Sequence, residues 1–353
     1  MKIQTHLKAN EAVDLGSFYT PKNIVEEAYK LFEKNNIQLT EFVLLDSSCG
    51  YGDFFIKNLN YIGADIDSIA LSKTPKGLKT ILTNSLEDVS RKKFGIKDDD
   101  SLIVIGNPPY NDRTSLVKSH IKTNNVTIDK ELKHRDLGIS FLRSYEVLNP
   151  EFVCVLHPLS YLIKESNFKA LKKFKANYKL KDSVIVSSEI FSTKANSFFP
   201  IIIALYKKDQ DGMNYDFIKA YKFKTIDGYS FKLNDFDFIG NYVSKYPNHK
   251  DPRKEVAYFY TLRDINALKR SQTFQKKQTN NSIKVFQDNL KYYYYIHHFK
   301  NYARSLPYYF GNLEVFIDNP TFLKSYKSFM SLDDNKEIKQ YFQKLFNQHI
   351  NVA

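Results

Sequence analysis

Ser101-Leu102-Ile103-Val104-Ile105-Gly106-Asn107-Pro108-Pro109-Tyr110 joins a short apolar run to a rigid polar turn, and this junction decides the fold. The run has the length and β-branched content of a buried strand, so the four residues after it cap a strand end. In an open α/β sheet that edge is where ligands bind. Prolines 108 and 109 fix φ and remove two N–H donors. The turn therefore offers the Asn107 amide oxygen, backbone carbonyls and the Tyr110 ring to one planar polar group. An amino group on an aromatic or amide system suits such acceptors.

Outward from this strand, six more segments read as strands: Phe42–Asp46, Tyr61–Asp65, Thr80–Leu82, Phe152–His157, Val184–Ser187 and Pro200–Tyr206. Thr20 reads as the N-cap, and Pro21 as the first residue, of a helix running to about Asn35, with apolar positions 24, 25, 28, 31 and 32 on one face. A helix through Phe54 and Phe55 is expected after the first strand. Further helical patterns cover Ile139–Leu148 and Asn167–Phe174. This alternation predicts an α/β fold: a seven-stranded, doubly wound, mostly parallel sheet.

A chain of 353 residues with 42% hydrophobic content can bury a large core, and its length suits one large domain plus a smaller one. Asp209-Gln210-Asp211-Gly212 reads as a turn at the boundary, giving domains 1–208 and 209–353, the second a smaller α+β domain. No apolar run approaches the roughly 20 residues of a membrane span, and Met1–Asn10 lacks the pattern of a signal peptide, so a cytoplasmic protein without membrane association is expected. Cys49 and Cys154 read as small buried residues, and no metal site is expected. The net charge of +13 points to a polyanionic partner such as nucleic acid. Asn111–Arg135 is a polar, lysine-rich insertion beside the presumed site. Lys291-Tyr292-Tyr293-Tyr294-Tyr295, followed by Ile296-His297-His298, is read first as a packing seam and second as a stacking surface for nucleic acid.

Asp46-Ser47-Ser48-Cys49-Gly50-Tyr51-Gly52-Asp53-Phe54 forms the loop leaving the first strand, and its two glycines let backbone turn tightly against a ligand. The third glycine and the lysine of phosphate-binding loops are missing, which suits a nucleoside without a phosphate chain. Asp46 suits an ammonium group. Asp65, at the end of Gly63-Ala64-Asp65-Ile66-Asp67, can accept hydrogen bonds from ribose hydroxyls, and Asp67 reads as a helix N-cap. Together these features favour S-adenosylmethionine over NAD or ATP.

Gly16-Ser17-Phe18-Tyr19-Thr20-Pro21, the glycine loop, the acidic strand end and Asn-Pro-Pro-Tyr, in this order, resemble the motifs of DNA adenine-N6 methyltransferases of the γ group. These are class I enzymes that use S-adenosylmethionine. The resemblance spans residues 16 to about 207. It implies that the last two strands form an antiparallel pair at one edge. It also implies that Phe18, Tyr19, Thr20 and Pro21 close over the methionine end of the cofactor, that Asp46, Ser48, Gly50, Gly52 and Asn107 line its site, that Asp65 holds the ribose and that Ile66 packs on adenine. Asn84 stands where the family often has an acidic residue reading the cofactor amino group. Asp136-Leu137-Gly138-Ile139-Ser140-Phe141 resembles the next helix, and His157-Pro158 a strand end lining the site. Asn107, Pro108 and Tyr110 take the catalytic roles. Tyr110 stacks on a base flipped out of the duplex, and Phe191 supplies a second aromatic. Neither cysteine follows a proline, unlike the nucleophile of the carbon-5 cytosine enzymes.

The function implied is methylation of adenine N6 in double-stranded DNA, as the modification enzyme of a restriction-modification system with a separate endonuclease. Release-factor glutamine or RNA methylation is the alternative enzyme reading. A DNA-binding protein on an inactive methyltransferase scaffold is the alternative without catalysis.

Overall fold

In the computed structural model, which describes residues 19–110, 127–191 and 198–350, the seven expected strands form one sheet. They are β1 (Val43–Asp46), β2 (Asn60–Asp65), β3 (Lys79–Leu82), β4 (Leu102–Gly106), β5 (Phe152–Pro158), β6 (Tyr178–Ser187) and β7 (Pro200–Lys208). Their order is β3-β2-β1-β4-β5-β7-β6. The first five pair in parallel, with Leu45 beside both Ile62 and Val104. β7 runs antiparallel to β5 and separates it from β6 at the edge. Burial explains the apolar runs: every residue of β1 and β4 is buried, as befits central strands covered on both faces. The α/β, doubly wound class expected from the sequence is the one observed.

Helix α1 (Lys22–Lys34) buries Ile24, Val25, Ala28, Tyr29, Leu31 and Phe32, the face its spacing predicts. Its start differs by one residue. Pro21 is the N-cap, and its carbonyl receives the N–H groups of Ile24 and Val25 at 2.9 and 3.1 Å. Thr20 does not cap, because its hydroxyl and its N–H are bonded to Asn107 and Asp53 instead. The helix expected through Phe54 and Phe55 is replaced by turns. There the Phe54 carbonyl accepts from the Tyr29 hydroxyl at 2.6 Å, and Gly52 holds φ at +82° with Phe55 packed where a Cβ would stand. α2 (Ser68–Leu71) is capped by Asp67, whose side chain accepts from the Ile69 and Ala70 N–H groups, as read from the sequence. α3 (Leu137–Leu148) begins at Asp136. The pattern at 167–174 is split between Glu165–Ala170 and Lys173–Asn177, with Lys172 at φ +53° between them.

The chain divides into two units, one of Met1–Ala195 and Ile201–Ile218, the other of Asn196–Pro200 and Lys219–Ala353. The second mixes helices with small sheets: β8 (Phe223–Lys224) with β9 (Ser230–Phe231), β10 (Asp237–Phe238) with β14 (Phe316–Ile317), and β11 (Ala257–Tyr260) between β12 (Phe274–Gln275) and β13 (Ser282–Val285). Its core is aromatic, with Phe299, Phe310, Phe316, Phe342 and Phe346 buried. The tyrosine run lies on the helix Leu290–Tyr302, where Tyr293 and Tyr295 are fully buried and donate to the carbonyls of Ser244 and Phe316 at 2.9 and 2.8 Å. It is a packing seam. His297 and His298 are engaged by Thr273 and by the Ser331 carbonyl. Cys49 and Cys154 are buried and unbridged. Among the described residues no helix is long and apolar enough to cross a membrane.

Candidate active site at the sheet switch point

Strand order reverses between β1 and β4, and in open α/β sheets the carboxyl edge at such a switch point is where ligands bind. β1 ends in Asp46 and the loop after it supplies Ser48, Gly50 and Gly52; β2 ends in Asp65; the turn after β4 is Asn107–Tyr110. Most of the site residues expected from the sequence therefore converge on one edge. Phe18 and positions 111–126 of the insertion lie outside the described residues.

Gly106 makes the convergence of β1 and β4 possible. Its φ is +153°, and a Cβ there would stand 2.6 Å from Asp46 Oδ1 and 3.0 Å from Oδ2. The Asp46 carboxylate thus fills the space above the last residue of β4. Oδ1 also accepts from the Ser48 N–H at 3.1 Å. On the other side, Asp65 uses both oxygens to fix the glycine loop, accepting from Gly50 N–H at 2.8 Å and Asp67 N–H at 2.9 Å.

Asn107 is held from the N-terminal side of the chain. Its Nδ2 donates to Thr20 Oγ1 at 3.2 Å, and the Thr20 N–H donates to Asp53 Oδ2 at 2.8 Å. With the amide nitrogen engaged, the buried amide oxygen has no partner among the described residues, nor does Ser48 Oγ. A buried acceptor without a donor costs about 1–3 kcal/mol. The Asn107 oxygen is thus open to a donor that the described residues do not supply. Asp53 carries no role in the sequence reading; its place directly after Gly52 was the one available signal.

Three carboxylates face this edge, and among the described residues none of the three is ion-paired. Burial holds Asp46 well above the usual carboxylate range against the Ser48 N–H, and the charges of Asp65 and Asp53 push it further. Burial also raises Asp65 despite its backbone donors. Asp53 is pushed up to about 6 by burial, opposed by the Thr20 N–H. The folded protein therefore keeps the Asp53 proton to about pH 6, while the unfolded chain releases it near 4. Stability conferred by protonation falls as pH rises through that window. Asp53→Asn, which keeps an acceptor for Thr20, is expected to match the wild type below pH 4 and to exceed it by about 2 kcal/mol above pH 6. Urea melts across pH 4 to 8 read the difference, and a pH-independent gap would rule out this cause.

The aromatic side of the turn is braced from α3. Tyr161 Oη donates to Asp136 Oδ1, which also accepts the Gly138 N–H at 3.0 Å. Gly138 fits because it has no side chain: a Cβ there would lie 2.5 Å from Tyr161 Oη and 2.9 Å from Tyr110 Cβ. Behind them His157 stacks on Tyr161, with ring centroids 5.3 Å apart. Its Nδ1 lies 3.0 Å from the Pro158 carbonyl and its Nε2 lies 2.8 Å from Tyr206 Oη. A carbonyl can only accept, so Nδ1 carries the proton and Nε2 accepts from the tyrosine. Burial lowers the imidazole to about 4, so His157 is a neutral structural group. No local pattern announces the Asp136–Tyr161 contact, because its partners are 25 residues apart.

Other expected residues are placed differently from one another. Ile66 is 57% exposed beyond β2, and Leu82, which pairs with Asp65 in register, is 61% exposed. These two apolar side chains are open to solvent at the strand ends. Asn84 is engaged, donating to the Thr127 carbonyl at 2.7 Å while its oxygen accepts from Leu86 N–H at 3.1 Å. Phe191 is buried. Tyr19 and Pro21 are half-buried, and Thr20 is buried. Among the described residues no group of three His, Cys, Asp or Glu could hold a metal ion.

No family model matches this sequence, and no curated protein matches it. Solved structures do. A candidate RNA methyltransferase from Pyrococcus horikoshii is 18% identical, over 58% of this chain and 93% of that one, with a TM-score of 0.40. A candidate class I S-adenosylmethionine-dependent methyltransferase from Listeria monocytogenes is 18% identical, over 55% of this chain and 62% of that one, with a TM-score of 0.38. The methyltransferase subunit of a type I restriction-modification system from Streptococcus thermophilus is 12% identical, over 95% of this chain and 58% of that one, with a TM-score of 0.37. All three are distant, and the functional reading rests on the residues of this chain.

Proposed function

We propose that this chain transfers a methyl group from S-adenosylmethionine to the exocyclic N6 amine of adenine in double-stranded DNA. The observation that carries the reading is Asn107 at the carboxyl edge of the sheet: its amide nitrogen is tied to Thr20, and its buried oxygen has no donor among the described residues. An amine brought to that edge supplies the missing hydrogen bond. Three carboxylates with no cationic partner among the described residues support a cofactor that is positively charged, and they disfavour anionic NAD or ATP.

S-adenosylmethionine, when bound, supplies an electrophilic methyl group on a positively charged sulfur. In this proposal Phe18, Tyr19, Thr20 and Pro21 cover its methionine end, and Asp46 faces the ammonium. Ser48, Gly50 and Gly52 line the cradle, Asp65 receives the ribose, and Ile66 lies against the adenine near Asn84. Asn107 Oδ1 and the Pro108 carbonyl accept the two hydrogens of the target amine. That draws its lone pair out of conjugation and stabilises the charge growing on nitrogen. No base need remove a proton first, which agrees with the neutral, buried His157.

Tyr110 stacks on a base turned out of the duplex, contributing roughly 1–3 kcal/mol against the few kcal/mol that unstacking costs. Phe191, a buried side chain, is proposed as the second aromatic against that base. The second unit reads the DNA. As corollaries, the enzyme belongs to a restriction-modification pair, and a separate endonuclease recognises the same site.

Calorimetry of S-adenosylmethionine binding tests the cofactor assignment. Affinity is expected to fall as pH drops below about 6, where Asp53 takes up a proton and the negative charge facing the cofactor declines. NAD is expected not to bind. Absence of S-adenosylmethionine binding, even with DNA present, would turn the assignment to the inactive-scaffold alternative.

A further inference from the structure

The excess positive charge is unevenly distributed along the chain. Residues 219–353 hold 22 of the 52 Lys and Arg but only 12 of the 39 Asp and Glu. Within them, residues 245–285 hold ten basic side chains and three acidic ones. That span holds the three-stranded sheet β12-β11-β13, its flanking loops and the helix Ile265–Arg270, which carries Lys269 and Arg270.

Register gathers much of this charge at one end of the sheet. β11 runs antiparallel to both neighbours, with Tyr258 opposite Gln275 and Ala257 opposite Val285. Lys276 and Lys277, leaving β12, therefore emerge beside the start of β11, where Lys250, Arg253 and Lys254 approach it. Side chains pin the approaching loop. Asn248 accepts from Lys284 N–H at 2.7 Å and donates to the Lys284 carbonyl at 3.1 Å, and His249 Nδ1 meets Gln278 Nε2 at 2.6 Å. Arg253 is balanced by Asp251 and Asp288, and Lys284 by Glu255. Lys250, Lys254, Lys276 and Lys277 are exposed and lie on the two loops joined by the His249–Gln278 contact. In the same approach loop Tyr246 is 63% exposed.

Four exposed ammonium groups on a braced scaffold offer the kind of positive charge that phosphate contacts use. We propose that this end of the β11 sheet grips the phosphates of duplex DNA, with Lys250, Lys254, Lys276 and Lys277 as the contacts. The assignment rests on the DNA substrate proposed for the active site and adds the surface that positions the duplex without reading its sequence.

The test measures binding of the full chain to a short unmodified duplex of arbitrary sequence as salt is raised. It compares the wild type, the quadruple variant Lys250→Ala, Lys254→Ala, Lys276→Ala and Lys277→Ala, and a control with Lys324→Ala, Lys327→Ala, Lys339→Ala and Lys344→Ala. The control lysines are also exposed. Each lost phosphate contact lowers the slope of log K against log salt by about 0.9. The first variant is expected to lose about 2 to 4 of slope and at least about tenfold in affinity at moderate salt, with the control within about 1 of the wild-type slope. Thermal melts confirm that both variants are folded. Equal losses in the two variants, or none in the first, overturn the phosphate assignment while the DNA reading stands. A wild type that ignores duplex DNA and instead binds structured RNA or phosphatidylserine vesicles through these lysines overturns both.

Discussion

Asn107→Ala is expected to lower the rate of methyl transfer about 10²- to 10³-fold, the loss typical when one preorganised polar group is removed from a developing charge. Cofactor affinity should fall by far less. The asymmetry comes from the geometry. Among the described residues the buried Asn107 oxygen has no partner, so in the proposed site its hydrogen-bonding capacity is held for the reacting amine, whereas the cofactor would also meet Asp46, Asp65 and the glycine loop. Asn107→Asp keeps an acceptor but loses the donor to Thr20, and should retain measurable activity where alanine retains almost none. Single-turnover kinetics with calorimetry on the same samples separates the two effects. Equal losses of rate and cofactor affinity would mean that Asn107 serves binding rather than chemistry.

Gly106→Ala carries the second large effect, on folding and cofactor binding together. The φ of +153° disfavours any side chain, and the new Cβ would press on both oxygens and the Cγ of Asp46. Backbone strain costs about 1–3 kcal/mol, and moving a buried carboxylate away from the Ser48 N–H adds to it. A loss of about 3 kcal/mol or more in urea melts is expected, with S-adenosylmethionine binding abolished in whatever remains folded. A variant that melts within about 1 kcal/mol of wild type and still binds would show that Asp46 can leave the end of β4 freely.

The strands were legible because apolar runs are local signals. Leu102–Gly106 and Val43–Asp46 are buried along their whole length, and their sequences say so. The place of Asn107–Tyr110 at a strand end was legible for the same reason, since it comes directly after a strand that could hardly be misread. What escaped the sequence depends on partners far along the chain. Thr20 has the chemistry of an N-cap, yet its hydroxyl is taken by Asn107, 87 residues on, and its N–H by Asp53, 33 residues on. Phe54 and Phe55 fit a helical pattern, but the Phe54 carbonyl is claimed by Tyr29 and the glycines adopt positive φ. Asn84 resembles a free reader of a ligand until the Thr127 carbonyl is seen to hold it. In the second unit, strands of two residues such as Asp237–Phe238 and Phe316–Ile317 are too short to leave a periodic trace.

The central claim is the transfer of a methyl group to adenine in duplex DNA, and it is tested most directly by supplying labelled S-adenosylmethionine and unmodified double-stranded DNA to the purified full chain. Nucleoside mass spectrometry of the product identifies the methylated base, with Asn107→Ala as the control. N6-methyladenine from the wild type, formed about 10²- to 10³-fold more slowly with Asn107→Ala, is the expected result. Label appearing only in RNA, in release-factor glutamine or on cytosine, or appearing equally with Asn107→Ala, would contradict it.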